Sequence, residues 1–344
     1  MDVADFDYPL PPEAIAQRPA ERRDASRLLV LDRARRAWAD RRFADLPDLL
    51  RPGDCLVVND SRVLPARVIA RDEASGGEVE LLFATPLTPT RWEALARPAR
   101  RARPGARLSV ADGACVFRVV GLGGDGARVM EPERGEILPL LERHGVPPLP
   151  PYIEHYAKPE AADRERYQTV YADPAGSVAA PTAGLHFTRA LLGDIRGRGV
   201  EIHAITLHIG PATFRPIRAA RIEDHRLPPE QARIPPAVAD AVNRARGERR
   251  RVIAVGTTAT RTLESAAGPD GRVRAWDGPV GLYITPGYRF AVIDALLTNF
   301  HVPRSSLLVL VSAFAGRELV LGAYRHALAA GYRFYSYGDA MLIE

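Results

Sequence analysis

Apolar and polar positions change their spacing along this chain in a way that divides it. After the turn Arg51-Pro52-Gly53, the run Asp54–Asn59 is short, apolar and rich in valine, which predicts a buried strand. From about residue 67 to 149 the apolar runs shorten and recur between Gly- and Pro-bearing turns: Glu78–Ala84, Arg91–Arg97, Ala106–Val110, Cys115–Leu122 and Ala127–Glu131. That spacing predicts a small antiparallel barrel or sandwich. It is bounded by Leu64-Pro65-Ala66 and by the proline-rich stretch Val146–Pro151. From residue 175 the pattern alternates between helix and strand. Helices are predicted at Arg189–Arg198, Pro236–Arg246 and Arg317–Ala330, and from Gly256 through Ala267. Strands are predicted at Val200–Ile209, Arg251–Val255, Val280–Ile284 and Tyr332–Tyr337. The alternation implies a mostly parallel sheet with ligands at the carboxyl ends of its strands. The architecture expected is therefore an α/β main domain (residues 1–66 and 150–344) carrying the active site, with a small antiparallel β-barrel domain (67–149) inserted into it.

Polar equipment clusters at the predicted strand ends. The stretch Ala175–Arg189 places Thr182, Gly184, His186 and Thr188 in a turn before a helix. Thr188 suits the N-cap, Gly184 is free to take a positive φ, and His186 would stand beside a helix N-terminus that favours anions. A tight turn with a capped helix and a packed histidine explains the same residues. Gly256-Thr257-Thr258-Ala259-Thr260-Arg261 opens a helix directly after a strand, the arrangement of an anion pocket with Arg261 as an added cation, although a simple capped helix also fits. Thr298–Ser306 offers Asn299, His301 and Arg304 ahead of an apolar helix that Pro303 and Ser305 or Ser306 can start. His208 ends a strand, and Asn59 and Arg62 follow another. Tyr167–Tyr171 is polar and aromatic, suited to stacking on a base or to an amphipathic surface. His144, His203 and His326 look structural. No GxGxxG, HExxH or GxSxG motif stands in a fitting context, which argues against nicotinamide, zinc-protease and serine-hydrolase chemistry.

Composition changes this picture in four ways. The chain of 344 residues is 46% hydrophobic and 26% charged, enough for two folded domains. There is no apolar run of about eighteen residues and the N-terminus is acidic without a signal pattern, so a cytoplasmic protein is expected. Two cysteines, Cys55 and Cys115, give neither a disulfide framework nor a cysteine-rich zinc site. The net charge is +5, concentrated in arginine runs. Arg97, Arg100, Arg101 and Arg103 form the densest, and such runs neutralise nucleic-acid phosphates; a solvated face balanced by the 42 acidic residues is the alternative.

Taken in order, the motifs resemble one family. They are Phe6–Pro11 with Ile15–Pro19, Gly53–Arg67, Tyr167–Thr188, Leu207–Pro216, Gly256–Ser265, Leu297–Gly316 and Tyr332–Ile343. Together they are similar to the S-adenosylmethionine:tRNA ribosyltransferase-isomerases of queuosine biosynthesis. The resemblance implies S-adenosylmethionine as co-substrate, no metal, and tRNA as partner. The substrate would be 7-aminomethyl-7-deazaguanine at the wobble position of the anticodon stem-loop; the products would be epoxyqueuosine-tRNA, adenine and methionine. A monomer is expected. Forming an ylide at the acidified ribosyl C5′, freeing the amine nucleophile and protonating adenine all need groups that titrate near neutrality. The matched motifs hold His186, His208 and His301 for these tasks. Thr257, Thr258, Arg261 and Arg304 are candidates for the methionine carboxylate. Asn59, Arg62, Tyr167, Thr182, Gly184, His225, Glu230 and Asn299 complete the expected substrate site. The chain departs from the family pattern at Leu227-Pro228-Pro229-Glu230, where Met-His-Ser-Glu is usual, and at His155, Ala212 and Ala259-Thr260. A divergent relative, either another S-adenosylmethionine-dependent RNA-modifying enzyme or a tRNA-binding protein with weak or no activity, is the alternative reading.

Overall fold

The computed structural model describes residues 1–211 and 217–344, so Ala212 and the end of the Leu207–Pro216 motif lie outside the described residues. In chain order its strands are β1 (Arg27–Asp32), β2 (Ala37–Arg42), β3 (Cys55–Asn59), β4 (Arg62–Val63), β5 (Arg67–Asp72), β6 (Glu78–Thr88), β7 (Arg91–Arg97), β8 (Arg107–Val110) and β9 (Cys115–Leu122). They continue with β10 (Arg128–Pro132), β11 (Ala175–Ser177), β12 (Glu201–Leu207), β13 (Glu230–Ile234), β14 (Val252–Val255), β15 (Trp276–Val280), β16 (Ala295–Asn299) and β17 (Ala340–Ile343).

Nine of these form one mixed sheet in the order β15-β13-β12-β3-β14-β16-β17-β1-β2. Its centre, β12-β3-β14-β16, is parallel, as the βα alternation predicts. β3 and β14 are buried at every position. A parallel strand covered on both faces has no polar side to present, which is why both read as continuous apolar runs. Beyond this centre most ladders are antiparallel: β13 and β15 at one edge, β2 at the other, and β17 against β16. β2 is exposed along most of its length, and its charged Asp40, Arg41 and Arg42 suit an outer strand that must not pair further.

The other large β assembly is a closed antiparallel barrel, β10-β7-β6-β5-β8-β9, the insert predicted from the turn spacing. Alternate residues of β6 and β7 point inward, and Val79, Leu81, Phe83, Trp92, Leu108, Phe117 and Met130 fill the interior. Closure leaves no strand edge to protect. The chain divides into two compact units. One comprises Met1–Ser61, Gln168–Pro174 and Ala180–Glu344; the other, Arg62–Tyr167 and Ala175–Ala179, holds the barrel. The barrel unit is wider than the 67–149 stretch because β4 pairs with β11 and because Arg67 donates to the carbonyls of Tyr156 and Ala157.

Two expected strands are corrected. The edge strand is Trp276–Val280, not Val280–Ile284; Pro279 is tolerated there because an outer strand need not donate on its free side. Tyr332–Tyr337 is not a strand: Phe334 makes a single bridge to Ile15, and Tyr335 takes φ 76°, which ends any extended run. The last strand is Ala340–Ile343 instead.

Candidate functional site

The four central parallel strands end side by side, and three of them deliver a polar residue there. β3 ends at Asn59, β12 is followed by His208, β14 runs into Gly256, and β16 ends at Asn299. Carboxyl ends of parallel strands are where α/β sheets bind ligands, because the strand termini and the following helix starts open toward one edge.

Asn59 is buried and saturated. Its amide donates to the Leu207 carbonyl (3.0 Å) and Thr258 Oγ1 (3.2 Å), while Oδ1 accepts from the backbone N–H of Ser61 (3.1 Å) and of Leu207 (3.0 Å). The residue therefore bolts β12, β3 and the helix Gly256–Ser265 together. Gly256 takes φ 89°, a conformation that favours glycine, and no side chain caps this helix. Thr257 is buried and Thr258 is half-buried in its first turn. Ser61, folded back by Asn59, puts its hydroxyl 2.7 Å from His208 Nδ1. The His208 backbone donates to the Gln231 carbonyl, its ring is half-buried, and among the described residues no group bonds Nε2. Burial lowers its pKa.

The turn Thr182–His186 forms a second cluster. Gly184 is needed for space rather than for a positive φ, which it does not adopt: a Cβ there would run into the Tyr171 hydroxyl and the Thr169 methyl. Thr182 is half-buried, and Thr188 caps the helix Arg189–Gly197 as predicted, accepting from Leu191 N–H at 3.0 Å. His186 is 5% exposed, stacks on Phe43 (4.9 Å, 29°), and has both ring nitrogens engaged, Nδ1 with Ser26 Oγ (2.7 Å) and Nε2 with Asn299 Nδ2 (3.2 Å). Burial, with Arg333 and Arg23 nearby, pushes its pKa down to about 3.

His301 is also buried, and burial alone takes it to about 3. Its Nε2 lies 3.0 Å from Thr298 Oγ1. Its backbone is clamped: N–H donates to Tyr324 Oη (3.0 Å), and the carbonyl accepts from Tyr8 Oη. Ser305 caps the next helix through Leu308 N–H. Arg304, exposed and at φ 56°, pairs with Asp7 (Nε to Oδ2, 2.9 Å).

Arg261 and Glu230 are a buried ion pair (2.7 Å), not open groups. Arg261 also donates to the carbonyls of Leu282 and Val280, and Glu230 accepts from Gly210 N–H at 2.9 Å. Pro228 stands in a non-helical segment and lines a pocket with Glu230, Arg261 and Tyr283; His225 packs edge-on against Tyr283. In the barrel unit, Arg62 pairs with Glu142 (3.7 Å) and Tyr167 is buried. Arg97, Arg100 and Arg103 are exposed there, while Arg101 is half-buried and donates to the Glu78 carbonyl (3.0 Å). Of the other arginines, Arg27 lies over the Tyr332 ring (3.8 Å) and Arg23 donates to the Leu185 carbonyl, so part of the N-terminal basic run is internal structure.

Sequence reasoning passed over Ser26 and Ser61, the partners of His186 and His208. Ser61 had a local signal, an Asn two residues before it that can accept from its N–H. Ser26, 160 residues from His186, had none. Among the described residues, no group of three or more His, Cys, Asp or Glu is placed to hold a metal ion, and no single helix is long and apolar enough to cross a membrane.

Fold and site define an α/β protein with a barrel insert and a histidine-bearing site at its strand ends. Residues 3–343 match the family described as queuosine biosynthesis protein, and the chain belongs to that family. It is similar to proteins named S-adenosylmethionine:tRNA ribosyltransferase-isomerase, 51% identical in Symbiobacterium thermophilum and 52% in Heliobacterium modesticaldum, each match covering 100% of both chains. The crystal structure of the S-adenosylmethionine tRNA ribosyltransferase of Thermotoga maritima is 35% identical, with a TM-score of 0.57 over 99% of this chain and 100% of that one.

Proposed function

We propose that this protein is a transferase that moves the ribosyl part of S-adenosylmethionine onto 7-aminomethyl-7-deazaguanine in tRNA and isomerises it. The products are epoxyqueuosine-tRNA, adenine and methionine. The observation that carries this reading is identity of 51–52% along the entire length of relatives named for the reaction. The protein is taken to act as a monomer in the cytoplasm on the anticodon stem-loop.

His208 is the side chain best suited to proton transfer. It is only half-buried, one nitrogen is held by Ser61, and the other has no partner among the described residues. His301 is assigned a supporting role, since its enclosure makes a charged ring costly. Thr257 and Thr258 at the uncapped helix start suit the methionine carboxylate better than Arg261, whose donors are already used. Arg97, Arg100 and Arg103 are proposed to hold tRNA phosphates.

Incubation with S-adenosylmethionine and tRNA carrying the deazaguanine precursor, followed by nucleoside mass spectrometry, tests the reading. Epoxyqueuosine in tRNA with release of adenine is expected. Release of S-adenosylhomocysteine would instead identify a methyltransferase, and tRNA binding without adenine release an idle binding protein.

A further inference from the structure

His186 carries a constraint that fixes where its proton lies. Asn299 donates through Nδ2 to the Tyr335 carbonyl (3.2 Å), and the same atom lies 3.2 Å from His186 Nε2. The Tyr335 carbonyl also accepts from the Gly338 N–H (3.1 Å), and turning the amide over would set its oxygen against that carbonyl oxygen, so Nδ2 faces Tyr335. His186 Nε2 must then accept, and the ring must carry its proton on Nδ1, which donates to Ser26 Oγ (2.7 Å). Ser26 passes its own proton to the Arg23 carbonyl (3.3 Å), and the chain closes with every donor matched. Protonating His186 would set two donors against each other at Asn299. It would also charge a ring that is 5% exposed, stacked on Phe43 and flanked by Arg23 and Arg333.

The chain leaves one atom over. Asn299 is 2% exposed, and among the described residues its Oδ1 has no hydrogen-bond partner. A buried acceptor left bare costs about 1–3 kcal/mol, so a protein that spends three residues orienting the amide and then leaves Oδ1 unpaired holds it ready for something. Asn299 ends the central parallel strand β16, beside the turn that carries His186.

We infer that His186 is a positioning residue and not an acid or base: with Ser26 it locks the Asn299 amide so that Oδ1 accepts an N–H or O–H of S-adenosylmethionine. The inference rests on the proposed reaction for the identity of the ligand, and on geometry alone for the tautomer. Oδ1 is closed to solvent in this structure, so the co-substrate reaches it by displacing part of its cover.

Long-range 1H–15N NMR of the labelled protein, with the His186 signals assigned by their loss in His186→Gln, reads the tautomer directly. The neutral Nδ1–H form from pH 5 to 9 is expected; an Nε2–H form, or titration within that range, overturns the inference without reference to turnover. Equilibrium dialysis with labelled S-adenosylmethionine supplies the second arm. Asn299→Ala and His186→Ala should each weaken binding about tenfold, the worth of one buried hydrogen bond. His186→Gln, whose amide can accept from Asn299 and donate to Ser26, should restore most of it. In kinetics the same variants should raise KM for S-adenosylmethionine and leave KM for tRNA unchanged; a rise confined to tRNA overturns the ligand assignment. If His186→Gln instead loses kcat by about 10²-fold together with one limb of the pH profile, His186 is an acid or base after all. Where a variant melts early, the NMR measurement on the unaltered protein still decides the tautomer. Normal S-adenosylmethionine binding without product would count against the reaction and leave the positioning role standing.

Discussion

Three histidines in matching motifs look alike in sequence and differ sharply once folded, because a ring's use depends on what holds its two nitrogens. His208 keeps Nε2 free of partners among the described residues, whereas His186 has both nitrogens engaged. His208→Ala should therefore lower kcat by roughly 10²-fold or more. Because burial lowers its pKa, the unprotonated ring persists to more acid conditions, and the acid limb of kcat against pH should lie below 6.5. A limb above 6.5, or near-normal turnover in the alanine variant, removes His208 from the chemistry. His186 and His301 make a separate prediction about stability. Both drop from the usual 6.5 to about 3 on folding, so the unfolded chain takes up protons that the native protein refuses. Their contribution is intact above about 6.5 and is lost as pH falls toward about 3, at up to about 1.4 kcal/mol per pH unit for each ring. Urea melts across this window should show the decline, and His186→Gln should make it shallower. An unchanged slope in that variant would mean that His186 is not buried neutral.

At the scale of elements, turns and caps do work that local sequence announces only in part. Thr188 caps its helix through the Leu191 N–H, and Thr188→Ala should cost about 1 kcal/mol, read as a shift in urea midpoint without change in slope. Gly184→Ala should cost about 1–3 kcal/mol, since the Tyr171 hydroxyl and Thr169 must move to admit a methyl group. If Gly184→Ala is neutral in melts, the turn is looser than its packing indicates. These two residues also mark what could be read in advance. Thr188 followed by a helical period is a local signal, as are the barrel's alternating strands, of which Arg91–Arg97 and Cys115–Leu122 fall where predicted. Gly184 was legible as a special position but for the wrong reason, because the crowding comes from Tyr171, a residue thirteen positions away in sequence and close only in the fold. The end of β16 was hidden similarly: Ala295–Asn299 is a strand, yet its last two residues read as part of a polar turn. Arg261 looked like a site charge because it follows a strand, and Glu230 because the family resemblance pointed to it; only pairing across 31 residues shows that they neutralise each other.

For the whole molecule the open question is how a protein of modest net charge, +5, grips a polyanion. The answer depends on which arginines remain available after folding. Arg23, Arg27 and Arg33 donate to backbone carbonyls, and Arg251 and Arg261 are tied to carboxylates, so formal charge overstates what a phosphate meets. In the barrel unit, Arg97, Arg100 and Arg103 are exposed, while Arg101 lies against Gly77 and donates to Glu78. The proposal that this cluster holds tRNA has a quantitative consequence. Each phosphate neutralised on a nucleic acid releases counterions, giving a slope of log K against log salt of about −0.9 per contact on a duplex and about −0.7 on a single strand. Replacing Arg100 and Arg103 with alanine should flatten the slope by about 1.4 to 1.8 if both act. Preference among tRNA sequences should hardly change, because phosphate contacts position a nucleic acid without reading its bases. Arg101→Ala should change the slope less than either neighbour and should loosen the barrel instead, visible as a lowered melting temperature. Binding titrations at three or more salt concentrations measure all of this; a slope unaltered in the double variant would make the cluster a solvated face and place the tRNA contact elsewhere on the protein.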